Sequence, residues 1–316
     1  MSDKKIPNPE EIQKEFEDFV KDRFGGNVQV VSHPMGEAEA PGTPLDDEQK
    51  LDPMTLVENF NYRPKDIKAH LDRYVIKQDE AKKALAIAVC DHYNHVRMSL
   101  DGNNANIDNY SKQNVLILGA TGVGKTYLIK HIAKLIGVPF VKADATRFTE
   151  TGYVGANVDD LVRDLVSQAN NDIELAKYGI VYLDEADKLA APSDNGRGKD
   201  VSGRGVQTSL LKLMEETEID LSAGNDIRSQ MQAFMEFQQK GKMKNKMVNT
   251  KHILFIVSGA FTGLDEIIKE RLNQNDIGFS ASTKRVSDED FLLNQATTQD
   301  FVEFGFEPEF VGRLPI

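Results

Sequence analysis

Residues 119–126 read GATGVGKT, directly after the apolar run VLIL (Val115–Leu118) and directly before the helical run YLIKHIAKLIG. This is the GxxxxGK[ST] spacing in the strand-to-helix setting that a phosphate-binding loop requires. Glycines at Gly119, Gly122 and Gly124 let the backbone N–H groups of a loop that also contains Ala120, Thr121 and Val123 curl around a phosphate chain. The helix opening behind them favours negative charge at its N-terminus. Lys125 is placed to reach the β/γ-phosphates, the Thr126 hydroxyl to ligate Mg²⁺, and Tyr127 follows them against the nucleotide.

Such a site needs an acid at the end of another strand. IVYLDEAD supplies it, with Asp184 directly after the apolar run and Glu185 beside it. Asp184 is expected to hold Mg²⁺ through water and Glu185 to polarise the attacking water as general base. A GTPase usually orients that water with a glutamine, so the Asp-Glu pair points to ATP. Asp187 and Lys188 are read as solvated or paired.

These residues need a scaffold. Short apolar runs at 115–118, 139–143, 180–183 and 253–258 alternate with helical patterns, which predicts an α/β fold: a parallel sheet buried on both faces by helices. A chain of 316 residues with 40% apolar content can bury such a core. No secretory signal or membrane-spanning run is evident, which places the chain in the cytoplasm without a membrane partner. A net charge of −12 argues against nucleic acid as a partner. The single cysteine, Cys90, sits in a helical pattern and reads as a buried inert thiol, so a cysteine-based zinc site is not expected. His92 and His95 are read as surface residues. Residues 1–52 stand apart, with one helix carrying Ile12, Phe16, Phe19 and Val20, then an acidic Pro- and Gly-rich linker; residues 53–316 form the folded body.

One more stretch carries a question. In FTETGYVGANVDD, Tyr153 and Val154 are bracketed by Gly152 and Gly155, an apolar pair on a hinge. Val158, Leu161, Val162, Leu165 and Val166 behind it form one helix face, with Asn157 placed to cap its start.

The run 119–164, the Asp184/Glu185 strand, ILFIVSGAFTGLDEIIKERL and FGFEPEFVGRLPI together resemble the ClpX family of AAA+ unfoldases, whose nearest relatives are the HslU proteins. The resemblance extends from about Pro64 to Ile316. It implies an AAA+ P-loop NTPase domain that binds ATP and Mg²⁺, works as a homo-hexameric ring and passes unfolded or tagged substrates to a ClpP-type peptidase. By this resemblance Tyr74, Val75 and Ile76 line the adenine pocket, with Lys77 where the family usually has glycine. Arg313 becomes the arginine finger for a neighbouring subunit, and Ser258 a sensor of the γ-phosphate. Tyr153 and Val154 project into a central pore, and Ile277, Gly278 and Phe279 dock into the peptidase.

Three departures accompany it. The family's four-cysteine zinc domain is replaced by the acidic helix and linker. The ring-entrance region becomes a longer segment, 219–247, with Met231, Phe234 and Met235 at helical spacing and a lysine cluster. The family's fifth strand and small C-terminal helical domain lie beyond Ile316, where the sequence stops. Competing readings are a peptidase-independent remodelling ATPase, a nucleic-acid motor, which the acidic balance disfavours, and an inactive subunit.

Overall fold

The computed structural model describes residues 53–100, 112, 114–149, 155–190, 203–221, 247–275 and 289–314. All of them belong to one compact unit, Leu51–Ile316. The apolar runs become strands β1 (Val115–Leu118), β2 (Phe140–Asp144), β3 (Ile180–Asp184) and β6 (Leu254–Gly259), paired in parallel in the order β1-β6-β3-β2. Strand β2 starts one residue later than its sequence run, because Pro139 has no N–H to give to the ladder. Two further strands, β4 (Glu218–Asp220) and β5 (Met247–Asn249), form a separate antiparallel pair that the sequence reading did not include.

Alternation along the strands feeds two cores. Ile180, Tyr182, Leu254 and Ile256 face one layer of helices: α1 (Pro53–Glu58), α2 (Pro64–Asp72), α3 (Asp79–Leu100) and α4 (Lys125–Ile136). Helix α4 places Leu128, Ile129, Ile132, Ala133 and Ile136 on one stripe. It ends at Gly137, whose φ of 86° and N–H bond to the Ala133 carbonyl make a left-handed C-cap. Val141, Ala143, Val181, Leu183, Phe255 and Val257 face the other layer. That layer contains α5 (Asp160–Gln168), α6 (Ile173–Ala176), α7 (Arg204–Met214), α8 (Leu264–Asn275), α9 (Glu289–Leu293), α10 (Thr298–Phe304) and α11 (Pro308–Gly312). Leu161, Val162, Leu165 and Val166 are buried on α5, while Asn157 accepts a bond from the Asp159 N–H (3.4 Å) one residue before the helix. Among the described residues no helix is long and apolar enough to cross a membrane.

The register is what positions the chemistry. Leu118 stands beside Gly259 and Asp144 beside Asp184, so the carboxyl ends of all four strands lie along one edge. In open parallel sheets that edge is where ligands bind.

Candidate functional site

The 119–124 loop leaves β1 at this edge. Its Gly119 N–H donates to the Gly259 carbonyl (3.3 Å), which ties the loop's entry to β6. Gly122 and Gly124 sit at φ 85° and 95°. A Cβ at either would meet nothing within 4 Å, so the left-handed backbone and not a lack of space calls for glycine. The Lys125 ammonium is folded into the loop, donating to the Gly119 carbonyl and to the Ala120 carbonyl (3.0 Å). Burial lowers its pKa against the pull of Asp184 and Asp187. Phosphate oxygens would replace these carbonyls as acceptors of the same donor.

Across the edge, three side chains converge on Asp184. The Ser258 hydroxyl donates to its Oδ1 (2.8 Å) and also shares a 2.6 Å bond with the Tyr182 phenol. Its Oδ2 accepts from the Thr126 hydroxyl (3.4 Å) and pairs with the Lys142 ammonium (3.0 Å). Lys142 Nζ also donates to Thr126 Oγ1 (3.4 Å). Burial would raise the Asp184 carboxyl, but Lys142, Ser258 and the Glu185 N–H outweigh it and hold it below the usual carboxylate value. Mg²⁺ favours a few hard protein oxygens completed by water and phosphate. The Thr126 hydroxyl beside one Asp184 oxygen is a donor set of that kind, so these residues fit the metal.

Glu185 follows at φ 56°, a left-handed position that costs a non-glycine residue of the order of 1–3 kcal/mol. Its side chain is exposed beside Asp184. Asp187, read from sequence as solvated or paired, is paired and buried: Oδ1 accepts from the Ala260 N–H (3.3 Å) and Oδ2 meets Lys188 (3.3 Å).

The segment before α3 closes one side of the loop. Gln78 Nε2 donates to the Val123 carbonyl at 2.6 Å, a clamp the sequence reading missed. Lys82, buried and paired with Asp72, donates to the Val75 carbonyl (2.5 Å). Val75 is half-buried and Ile76 fully outward at 89% exposure. Lys77 and Gln78 adopt φ 63° and 59°, so the turn is kept with lysine in a conformation that favours glycine. Tyr74 stacks on His131 at 3.9 Å, and Tyr127 meets the same ring edge-on at 4.4 Å.

Not every candidate residue joins this cluster. Arg313 pairs with Glu215 (2.8 Å), and its carbonyl accepts from Asn114 (3.4 Å), the residue before β1. That places it by the amino-terminal end of β1, away from the carboxyl edge. Ser258 is fully buried and reaches the site through Asp184. Tyr153 and Val154, and Ile277, Gly278 and Phe279, lie outside the described residues, as do Met231, Phe234 and Met235. Tyr182 and Lys142 were missed; the one available signal for Lys142 was a charge interrupting the apolar strand PFVKA. The histidine reading needs correcting. His92 is buried, because its position on α3 faces the turn before β6 rather than solvent: its ring meets Tyr93 edge-on and Nε2 lies 3.0 Å from the His252 carbonyl. Cys90 is buried as expected, its thiol pushed up to about 11 by burial.

Comparison with known proteins decides the family. Residues 110–316 match the family described as AAA domain (Cdc48 subfamily). The chain belongs to the AAA family. This AAA domain is similar to the ATP-dependent Clp protease ATP-binding subunit ClpX of Borrelia duttonii (strain Ly), 42% identical over 255 residues that cover 80% of this chain and 56% of that protein. The protein of the same name from Treponema denticola is 40% identical over 256 residues, covering 80% of this chain and 58% of its own length. The AAA chain therefore spans less than two thirds of these relatives.

Proposed function

We propose that the chain carries the ATPase domain of a ClpX-type unfoldase, binding ATP with Mg²⁺ and coupling hydrolysis to protein unfolding in the cytoplasm. The observation that carries this reading is the meeting of Thr126 and Asp184 beside a glycine-rich loop at the carboxyl edge of the sheet. When bound, Mg²⁺ supplies a Lewis acid that neutralises charge on the β- and γ-phosphates. The chain's own residues do the rest. Loop N–H groups from 119–124 and the start of α4 cradle the phosphates, and Lys125 exchanges its loop carbonyls for their oxygens. Asp184, held ionised by the Ser258 hydroxyl and the Glu185 N–H, would hold the metal through water, and Glu185 accepts the proton of the attacking water. Val75, Ile76 and Tyr127 border the nucleotide's other end.

The larger assembly belongs to the same proposal. Arg313, displaced from its own subunit's site, suits an arginine finger acting on the next subunit of a homo-hexamer. Tyr153 and Val154 are assigned to gripping substrate in the pore, and Ile277, Gly278 and Phe279 to docking on a ClpP-type peptidase. The division at residue 52 is kept as a domain boundary.

The test is Glu185→Gln. ATP turnover should fall by about 100-fold or more while nucleotide binding persists, measured by phosphate release and by equilibrium binding. Turnover within a few-fold of the unsubstituted chain would remove Glu185 from the role of general base.

A further inference from the structure

Lys142 is the residue that the nucleotide reading does not use. A lysine on the outer strand of a sheet ordinarily points to solvent, where it discourages pairing with other chains. Lys142 stands on outer strand β2, but its ammonium turns back over the sheet edge to the two side chains that would serve the metal.

The atoms involved are specific. Asp184 Oδ1 is already engaged by the Ser258 hydroxyl and the Glu185 N–H (3.1 Å). Only Oδ2 remains to face an incoming ion, and Lys142 Nζ sits 3.0 Å from it. The other metal-facing atom is Thr126 Oγ1, whose lone pair would coordinate the ion, and it accepts from the same ammonium at 3.4 Å. One cation thus covers both oxygens at once. Lys125 does not take part in this contact, since its ammonium is bonded to the Gly119 and Ala120 carbonyls.

We propose that Lys142 is a tethered cation that closes the Thr126–Asp184 pair and must be displaced from Asp184 for Mg²⁺ to enter. It thereby sets the Mg²⁺ concentration at which the chain holds nucleotide. Its side chain is 47% exposed and that of Asp184 22%, so the bridge is partly hydrated and weak enough to open. The proposal rests on the nucleotide reading of the site.

The test titrates MgCl₂ into the full 316-residue chain at a fixed concentration of a fluorescent ATP analogue and follows the fluorescence change on binding. Lys142→Met should lower the half-saturating Mg²⁺ concentration roughly fivefold, the scale of a partly exposed ion pair. Lys142→Gln should do the same, and Lys142→Arg, which keeps the cation, should stay near the unsubstituted chain. A half-saturation point that is unchanged or raised in both Lys142→Met and Lys142→Gln overturns the proposal and makes Lys142 an ordinary edge lysine or a helper of the metal. If the unsubstituted chain shows no Mg²⁺-dependent binding of the analogue, the nucleotide reading fails with it, so the two failures are told apart in the same experiment.

Discussion

The Ser258 hydroxyl stands between a buried phenol and a carboxylate, and each partner depends on it differently. Tyr182→Phe removes one neighbour and leaves Ser258 free to donate to Asp184, a loss of about 1 kcal/mol of stability. Ser258→Ala leaves the Tyr182 phenol and Asp184 Oδ1 each short of a partner, at roughly 1–3 kcal/mol. The double variant should therefore lose less than the sum of the two single ones, read as a coupling energy from urea denaturation of all four proteins. Strict additivity would mean that the three groups do not act together. This network also marks the limit of what the sequence revealed. Gly119 to Thr126 and Asp184 with Glu185 were legible because each is a contiguous motif tied to one element boundary. Tyr182 and Lys142 were not, because their roles arise from the lateral register that sets residue 142 beside residue 182, and no local spacing encodes that pairing.

Among elements, the second helical layer is joined by one buried amide. Gln207 on α7 donates from Nε2 to the Leu189 carbonyl (2.7 Å), after β3, and accepts on Oε1 from the Glu307 N–H (2.8 Å), before α11. It is fully buried, so water cannot take its place. Gln207→Leu should cost at least about 2 kcal/mol through two unsatisfied backbone groups. A lowered urea midpoint with an unchanged slope would show it; an unchanged midpoint would contradict it. Phe261 packs against Phe301 (5.3 Å) and Phe306 (5.8 Å) in the same layer, holding α10 against the start of α8. The four sheet strands were readable as apolar runs of ordinary length. Strands β4 and β5, three residues each, were not, since neither carries a periodic pattern long enough to stand out and their pairing spans a long separation in sequence.

The whole molecule carries a pH dependence from the cluster where α3 meets the turn before β6. Burial, reinforced by Lys112, pushes His92 down to about 3, and burial with Lys251 pushes His252 down to about 4, from an ordinary 6.5. Lys112 itself is half-buried, donates to the Thr250 carbonyl (3.0 Å), and is pushed down to about 7 by desolvation. Both imidazoles stay neutral in the folded state while the unfolded chain takes up protons below pH 6.5. The imidazoles' contribution to stability is therefore full above that pH and is lost as pH drops toward 4, by up to about 1.4 kcal/mol per pH unit for each imidazole. Urea midpoints at pH 7 and pH 5 should differ, and the difference should shrink in His92→Phe; an equal difference in that variant would remove His92 from the cause. The antiparallel pair β4–β5 has a consequence of another kind. Ile219 lies opposite Val248 and Asp220 opposite Met247, so positions 220 and 247 are held side by side although they are far apart in sequence. Closing a longer excursion through fixed ends adds only about 0.6 kcal/mol per doubling of its length. A change in the length of sequence between residues 220 and 247 should therefore cost the folded domain little and leave the edge where Thr126 meets Asp184 as it is.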